Sequence, residues 1–382
     1  MLADITTDIL ILGGGVIGLS IARELRRHGV CRILVIDRGR LGREASYAAA
    51  GMLVPNAENE EIDDLYRFCD DSRQMFPELA GELLSETGID IELDRTGTLY
   101  AAFTTEDSDH IDKRYELQKA AGIPVSRLTA AETLEAEPAI APTVRGSLFF
   151  PNDWQVENRR LLAALKEYAF GNGIEVIEER AVGSLIVDGE TVCGAVVGDR
   201  RLLAEVTVLA TGAWTSFIKI AGKELPFTVK PIRGQMISYK PVRRSFRHVI
   251  YSPRGYLVPR ADGRILMGAT VEDVGFDKTT TDDALCQLSE AAIEIAPFLA
   301  NEPITEHWSG LRPFAAGGLP VIGEVPGYER LLTATAHSRN GILLAPLTAR
   351  IMAEWIVSGT ASKYFGVFGP EGSLRRGSIA NA

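Results

Sequence analysis

The sequence predicts a mixed fold, α/β and α+β, in which a parallel-sheet domain is interleaved with an antiparallel-sheet domain. A glycine-rich turn joins an apolar strand to a helix near the N-terminus, between residues 9 and 29. Apolar strands of the same kind return only at residues 206–215 and again at residues 330–336. The segments between them contain the strand-like runs GTLYAAF, GQMISYK, YLVPR and RILMGAT, which indicate an antiparallel sheet. The first domain is therefore expected to be built from separated pieces of chain.

Composition and charge limit the classes of function. The chain has 382 residues, 46% hydrophobic and 24% charged, which is enough for two domains or one large interleaved body. A net charge of -11 and the lack of a long Lys/Arg run argue against a nucleic-acid partner. The four cysteines and five histidines are scattered and indicate neither a disulfide framework nor a metal site. With no apolar run of roughly 20 residues and no signal-peptide pattern, a cytoplasmic protein without membrane contact is expected.

The N-terminal segment has the pattern of a Rossmann-type dinucleotide-binding motif. Gly13 allows a tight turn, Gly15 lets a pyrophosphate approach the backbone, and Gly18 lets the following helix pack closely on the strand. Asp37 ends the next strand, at the spacing expected for an acid that accepts from a ribose hydroxyl. A glycine-rich turn without a ligand is the alternative, and the strand, helix and acid around the turn disfavour it.

The motif alone does not distinguish NAD from FAD. The small residues at 48–51 allow the close approach of a large flat group, or else the packing of a small-residue helix. The next strand of the nucleotide-binding sheet is predicted only at residues 206–215, after a long insertion. Such a late return is typical of two-domain flavoproteins, so FAD is the favoured cofactor.

The C-terminal segment adds a second candidate contact with a flavin. Residues 330–336 form a predicted strand, and a loop with Asn340 and Gly341 leads into a long apolar helix. The N-terminus of a helix offers N–H donors and partial positive charge, and a reduced flavin is negatively charged near N1 and C2=O. A plain C-terminal βα unit without a ligand is the alternative.

Three residues are candidates for holding a substrate carboxylate. Arg312 and Arg339 lie among apolar or small neighbours, with no acid beside either in the sequence. A buried arginine needs a partner, and its planar fork binds a carboxylate in a bidentate manner. Tyr256 would add a hydroxyl donor. A surface ion pair is the alternative for each arginine.

Nine short motifs follow one another in a characteristic order along residues 8–359. They are GGGVIG, SYAAAGML, ATGAW, RGQ, YLVPR, GATVED, WSGLRP, LPVIG and SRNGILLAP. In order and spacing, they resemble the D-amino-acid oxidase superfamily of FAD-dependent amine oxidases, and within it the bacterial glycine oxidases of the thiamine pathway. The resemblance covers nearly the whole chain.

This resemblance implies roles for individual positions. The implied cofactor contacts, including the residues of the glycine motif, are Gly13, Gly15, Val16, Ile17, Gly18, Asp37, Arg38, Ala45, Ser46, Ala50, Gly51, Met52, Val182, Gly212, His337, Ser338, Arg339, Asn340, Gly341, Ile342 and Leu343. The implied substrate contacts are Arg312, Arg339, Tyr256 and Met52. Two positions depart from the family pattern. Ser338 stands where an aromatic residue is usual, and Arg254 stands where a histidine is frequent, which is expected to change the charge of the pocket.

The resemblance also implies an activity. It is the oxidative deamination of glycine or another small amino acid or amine, by hydride transfer from the α-carbon to flavin N5. The imine is hydrolysed to glyoxylate and ammonia, or supplied to thiamine thiazole synthesis, and dioxygen is reduced to hydrogen peroxide. No side chain is expected to act as acid or base. The implied partners are the small substrate and dioxygen, with a homo-oligomer, a tetramer in the family, as the assembly.

Three rival functions stay open at this point. A sarcosine-type amine oxidase shares most of the motifs, but such enzymes commonly attach flavin to a cysteine after the substrate-domain sheet. The nearest cysteine there is Cys286, so noncovalent FAD is expected. A D-amino-acid dehydrogenase that reduces a quinone, and a non-catalytic FAD-binding scaffold, are the other two. The sequence does not rank glycine, sarcosine, D-alanine and D-proline as substrates.

The domain boundaries follow from the same order of segments. The FAD-binding domain is predicted to comprise residues 1–80, 146–222 and 314–368, and the substrate-binding domain residues 81–145 and 223–313. The Gly/Ser-rich segment 369–382 is predicted to be a flexible tail.

Overall fold

The computed structural model describes residues 4–241 and 246–372 of the chain. Most of the predicted flexible tail, residues 373–382, lies outside the described residues. The strands in chain order are β1 (Ile5–Leu12), β2 (Ile33–Ile36), β3 (Met52–Leu53), β4 (Thr98–Ala102), β5 (Ser126–Thr129), β6 (Gly146–Phe150), β7 (Trp154–Gln155), β8 (Glu175–Ile177), β9 (Ser184–Asp188), β10 (Thr191–Val197), β11 (Arg200–Leu209), β12 (Lys219–Ile220), β13 (Val229–Tyr239), β14 (Val249–Ser252), β15 (Gly255–Pro259), β16 (Ile265–Gly268), β17 (Ile304–Ala315), β18 (Val321–Glu324) and β19 (Leu331–Thr335). The α-helices are α1 (Val16–Arg27), α2 (Ala45–Ala48), α3 (Pro55–Glu58), α4 (Asp64–Gln74), α5 (Phe76–Thr87), α6 (Thr105–Ala120), α7 (Ala130–Ala136), α8 (Asn158–Gly171), α9 (Asp282–Ile295), α10 (Gly341–Ser358) and α11 (Lys363–Phe368).

The first sheet is built around parallel strands, as the glycine motif predicts. β1 lies between β2 and β11, with Leu12 opposite both Ile36 and Leu209, and all three strands run in the same direction. β8 extends the sheet beyond β2, and β19 pairs in parallel with the C-terminal half of β11. The carboxyl ends of β1, β2, β11 and β19 therefore meet at one edge, where open α/β sheets bind their ligands.

The second sheet is mainly antiparallel and has the order β17-β13-β16-β15-β14-β4-β6-β5. It contains all four of the runs predicted from sequence, in β4, β13, β15 and β16. One pair, β14 with β4, is parallel. The predicted mixture of α/β and α+β architecture is thus confirmed.

Helices α1, α4, α5, α8 and α10 contribute to a hydrophobic core on one face of the first sheet. Leu25 of α1 and Met352 of α10 are fully buried there, and α1 packs directly on α10. A separate core joins α9 to the second sheet through Leu288 and Ala292. These two packed layers fix the two sheets on either side of the cavity described below.

One helical stretch differs from the sequence expectation about membranes. Ser338–Ser358 is long and apolar enough to cross a membrane by length and composition alone. However, 56% of its most apolar 18-residue window is buried inside the protein. The burial is typical of a core helix.

The division into domains stays a prediction, and the structure adds two details to it. β6 starts at Gly146, the predicted boundary, but pairs with β4 and β5 in the second sheet rather than the first. The boundary at residue 81 falls inside α5. Sheet membership therefore favours a change of domain after β6, near residue 151, instead of at residue 146.

Candidate active site

A cavity of about 670 Å³ lies between the carboxyl edge of the first sheet and one face of the second sheet. Every site residue predicted from sequence lines this cavity except Gly18 and Leu343. Leu343 is buried in the core, and its carbonyl accepts from Ser72 at 2.6 Å. Gly18 packs against the carbonyl of Gly13, where an added Cβ would collide. Gly18 therefore shapes the turn without facing the cavity.

The glycine turn forms one end of the cavity. Gly13 has φ +108°, and a Cβ there would collide with the carbonyl of Ala210 on the neighbouring strand. Helix α1 begins at Val16 without a side-chain cap on its first turn, although the Val16 N–H donates to Ser46 Oγ at 3.1 Å. An uncapped helix N-terminus next to bare backbone can bind a phosphate group.

Asp37 lies beside the turn, as predicted, and already accepts two backbone hydrogen bonds. Its Oδ2 accepts from Gly14 at 2.7 Å and its Oδ1 from Gly39 at 2.8 Å. Each carboxylate oxygen can accept a further hydrogen bond. The predicted contact with a ribose hydroxyl therefore stays compatible with the geometry, and Asp37 also holds the turn in shape. Next to it, the Arg38 guanidinium stacks on the Trp214 ring at 4.5 Å.

The small residues at 48–51 line the middle of the cavity. Gly51 has φ +67°, and a Cβ on it would collide with the carbonyl of Val156. Arg260, only 3% exposed, donates to the carbonyl of Ala50 at 2.5 Å and to that of Val156 at 2.7 Å. Burial lowers the pKa of the Arg260 guanidinium, and the nearby carboxylate of Glu157 opposes this effect. Arg260 thus ties this segment to the second sheet.

Arg312 and Tyr256 lie together on the face of the second sheet that lines the cavity. Arg312 Nη1 donates to the carbonyl of Thr270 at 3.1 Å and, at 3.4 Å, to that of Arg233. Within residues 4–241 and 246–372, no carboxylate forms an ion pair with Arg312. The Tyr256 hydroxyl is buried, which raises its pKa, while the adjacent Arg312 lowers it. A cation with an unpaired fork and a neutral hydroxyl donor together suit a small carboxylate.

The C-terminal segment lines the same cavity. A 3₁₀ turn, Ser338–Asn340, leads into α10, whose first turn has no side-chain cap. His337 is buried, its Nε2 lies 3.1 Å from Thr348 Oγ1, and burial lowers its pKa to about 3. His337 is therefore neutral at physiological pH. The N-terminus of α10 therefore lies at the cavity, as the sequence predicts.

Comparison with known proteins identifies the family. A family model described as FAD dependent oxidoreductase (DAO) matches residues 8–355. The chain belongs to this family. The glycine oxidase of Pseudomonas aeruginosa is 34% identical over 92% of this chain and 94% of its own length. The crystal structure of glycine oxidase from Geobacillus kaustophilus matches with a TM-score of 0.89 and 33% identity, over 95% of this chain and 98% of that one. The bifunctional protein ThiO/ThiG of Trichormus variabilis is 36% identical over 92% of this chain and 53% of its own length.

The chain is accordingly an FAD-dependent oxidoreductase, and its cavity fits FAD. Gly13 and Gly51 provide bare backbone where any Cβ would collide with a carbonyl. The N-termini of α1 and α10, both without a side-chain cap, lie at the cavity, where they can face the pyrophosphate and the flavin. The prediction of FAD as cofactor is confirmed. The role of each single residue stays a prediction.

Arg339 forms an ion pair, the alternative that the sequence left open for it. Its Nη2 lies 3.1 Å from Glu58 Oε1 and 2.8 Å from the Tyr251 hydroxyl. The negative charge of Glu58 raises the pKa of Arg339, and burial raises that of Tyr251. The partner is not visible in the local sequence because Glu58, on α3, comes to the cavity from a distant part of the chain. Arg312 is therefore the better candidate for the substrate carboxylate.

Arg254 differs from expectation. Its side chain is 38% exposed and forms an ion pair with Glu294 at 2.8 Å, and it does not line the cavity. The predicted change in pocket charge at this position is thus wrong.

Sequence reasoning missed several other residues of the site. These are Glu58, Tyr251, Arg260, Trp214 and Phe276. Arg260 and Trp214 occur in two of the family motifs, YLVPR and ATGAW. For Arg260 the available signal was a charged residue at the end of an apolar run. Phe276 packs on the Trp214 ring, with centroids 5.7 Å apart. Glu58 has no local signal.

Replacing Asp37 tests the assignment of the adenosine end. Asp37→Ala should weaken FAD binding by about 1–3 kcal/mol, because it removes a half-buried acceptor and two hydrogen bonds that shape the turn. The measurement is FAD retained after dialysis, compared with the parent. Asp64→Ala removes a surface ion pair with Arg67 and serves as the control. Full retention by Asp37→Ala would show that this carboxylate does not support the cofactor.

Proposed function

We propose that the chain oxidises glycine, and less readily other small amino acids, to the imine with FAD as acceptor. Dioxygen is then reduced to hydrogen peroxide, and water hydrolyses the imine to glyoxylate and ammonia. The observation that carries the proposal is the guanidinium of Arg312, which pairs with no carboxylate in the described part of the chain and lines the cofactor cavity together with Tyr256. The similarity to two glycine oxidases supports it.

Arg312 would bind the substrate carboxylate with its free fork, and Tyr256 would donate its hydroxyl to the same group. Binding of the carboxylate by these two residues fixes the α-carbon relative to the cofactor. Such orientation supplies a large share of the rate enhancement of an enzyme. FAD, when bound, accepts the hydride and passes the electrons to dioxygen. Met52 and Met236 line the cavity as well and add apolar side chains to its wall.

The titratable residues at the cavity support a reaction without a protein base. His337 is neutral and is engaged with Thr348. Glu58 is paired with Arg339, and Asp37 with two backbone N–H groups. Burial raises the pKa of Tyr256, so its hydroxyl donates rather than accepts a proton at neutral pH. The substrate amine must therefore arrive neutral or lose its proton to water.

A substrate panel tests the proposal. Peroxide production is measured in air with glycine, sarcosine, D-alanine and D-proline, and with methylamine as a carboxylate-free control. Glycine should give the highest kcat/KM, and methylamine should be a poor substrate. Activity with an artificial electron acceptor but no peroxide would favour the dehydrogenase alternative. The absence of flavin reduction by every amino acid would favour the non-catalytic scaffold.

A simple extraction tests the noncovalent attachment of FAD. Acid precipitation should release all of the flavin into the supernatant. The four cysteines are Cys31, Cys69, Cys193 and Cys286. None of them lines the cavity. Colour that remains in the pellet would indicate a covalent bond and revive the sarcosine-type alternative.

We also propose a role for the imine and an assembly. The fused relative, the bifunctional protein ThiO/ThiG, supports the supply of the imine to thiazole synthesis in the thiamine pathway. The tetramer implied by the family and a cytoplasmic location stay proposals. Light scattering of the purified holoenzyme measures the first, and fractionation of the source cells measures the second.

A further inference from the structure

Two glycines lie beneath the proposed carboxylate site, on the two strands at its centre. Gly234 is on β13 and Gly268 is on β16, and these strands are neighbours in the second sheet. β17, which carries Arg312, flanks β13, and β15, which carries Tyr256, flanks β16. The register places Gly268 directly opposite Tyr256. On β13, Ile232 is opposite Arg312 and Met236 is opposite Gly268, and Gly234 lies two residues from each of these partners. All four residues therefore lie on the same face of the sheet, since paired residues and residues two apart on a strand share a face.

Arg312 folds inward across Gly234. A Cβ added to Gly234 would fall on the guanidinium, far inside van der Waals contact with Cζ and both Nη atoms of Arg312. These three atoms are also the nearest neighbours of such a Cβ. The backbone of Gly234 is outside the left-handed region, so alanine is compatible with its conformation. The backbone conformation at residue 234 would therefore allow other residues. Glycine is required there because the Arg312 guanidinium occupies the place of a Cβ.

Tyr256 folds inward across Gly268 in the same manner. A Cβ on Gly268 would lie 2.6 Å from the Tyr256 hydroxyl oxygen and 2.7 Å from Cε2 and Cζ of the ring. The two outer strands thus send their polar side chains over bare backbone towards each other. Arg312 and Tyr256 both line the cavity above β13 and β16.

We propose that Gly234 and Gly268 are positioning residues that determine carboxylate recognition. Their bare Cα atoms form a floor on which the Arg312 fork and the Tyr256 hydroxyl lie flat and stay open to a small anion. The inference rests on the proposed function, in which Arg312 binds the substrate carboxylate. The inference adds that two glycines, which have no polar side-chain group, determine where the Arg312 and Tyr256 side chains lie.

The floor makes a specific prediction for Gly234→Ala. The methyl group must displace the guanidinium, because the end of a long side chain moves more easily than a strand. The displaced fork loses the carbonyls of Thr270 and Arg233 that now orient it. FAD should stay bound, since the nearest neighbours of the new methyl group all belong to Arg312.

Glycolate, which has the carboxylate of glycine but no amine, is the probe. It is titrated into the oxidised holoenzyme, and binding is followed by the change in flavin absorbance. Gly234→Ala should weaken glycolate binding and raise KM for glycine on the order of ten- to a hundredfold, less than full loss of the arginine. Gly268→Ala should act in the same direction through Tyr256. Gly81→Ala is the matched control, because a Cβ added at Gly81 would have no contact within 4 Å outside its own stretch of helix.

A double-mutant cycle separates this role from a merely structural one. In the Arg312→Ala background, Gly234→Ala should have almost no further effect on glycolate binding, because the displaced group is gone. If glycolate does not bind the parent, or Arg312→Ala leaves binding unchanged, the proposed function itself fails. If Arg312→Ala weakens binding but Gly234→Ala does not, the floor is overturned. Additive effects, or loss of FAD from Gly234→Ala, would overturn it as well.

Discussion

Arg312→Ala should lower kcat/KM for glycine by roughly 30- to 4,000-fold while FAD content stays at the level of the parent. Truncating one partner of a buried charged pair costs on the order of 2–5 kcal/mol. At about 1.4 kcal/mol per factor of ten, this range gives the stated loss. The structure supports a large effect, since among the described residues no carboxylate competes for the Arg312 fork.

Steady-state kinetics on two substrates measures this effect. The loss should appear with glycine but not with methylamine, which has no carboxylate to bind. Arg312→Lys should recover only part of the activity, because an ammonium cannot form the bidentate fork. Arg254→Ala is the matched control, since its side chain pairs with Glu294 outside the cavity. Equal fractional losses on both substrates, or no loss on glycine, would remove Arg312 from the site.

Much of the fold could be predicted because its signals are local. The turn at Gly13 and the apolar run before it predict β1, and the periodic apolar residues predict α1 and α10. The strands of the second sheet could be found in the same way. The structure differs mainly at the ends of elements: the predicted strand at residues 206–215 ends at Leu209, and a 3₁₀ helix, Gly212–Phe217, follows it.

The site was less predictable where it depends on contacts between residues that are far apart in the sequence. Glu58 and Arg339 are 281 residues apart, and only the fold brings the end of α3 to the 3₁₀ turn before α10. Two arginines that both lack an adjacent acid in the sequence therefore have different partners, a carboxylate for Arg339 and backbone carbonyls for Arg312. No sequence pattern indicated which would be paired. The same holds for Arg254, whose direction is set by Glu294 on α9.

Arg260→Met should release FAD and lower the stability of the protein, a different outcome from that of Arg312→Ala. Arg260 is buried and donates to the carbonyls of Ala50 and Val156 and to the side chain of Gln155. Its Nε lies 3.4 Å from the carboxylate of Glu157. Methionine fills much of the same volume but leaves these acceptors without their donor. Removing one member of a buried ion pair costs about 3–5 kcal/mol.

Loss of the Arg260 guanidinium should also weaken FAD binding, because the carbonyls that accept its hydrogen bonds lie next to the cavity. Ala50 and Gly51 line the cavity, and Arg260 connects their backbone to β15 and β7 through Val156 and its neighbours. Without the guanidinium, this segment can move away from the flavin, so FAD affinity should fall together with stability. For a chain of 382 residues, 3–5 kcal/mol corresponds to a fall in Tm of roughly 4–6 °C. Arg67→Met, at an exposed ion pair with Asp64, should change neither quantity.

Two measurements on Arg260→Met distinguish a clamp on the cofactor segment from general destabilisation. Tm is determined with and without excess FAD, and FAD retention is determined after dialysis at a temperature well below Tm. A clamp predicts that FAD is lost from protein that is still folded, and that excess FAD restores part of the fall in Tm by mass action. Arg260→Lys should lie between parent and Arg260→Met, since an ammonium can donate to some of the same carbonyls but cannot span them as a fork does. If Arg260→Met keeps its flavin while Tm falls, Arg260 stabilises the fold without holding the cofactor segment, and the route from the second sheet to the flavin must run through other contacts.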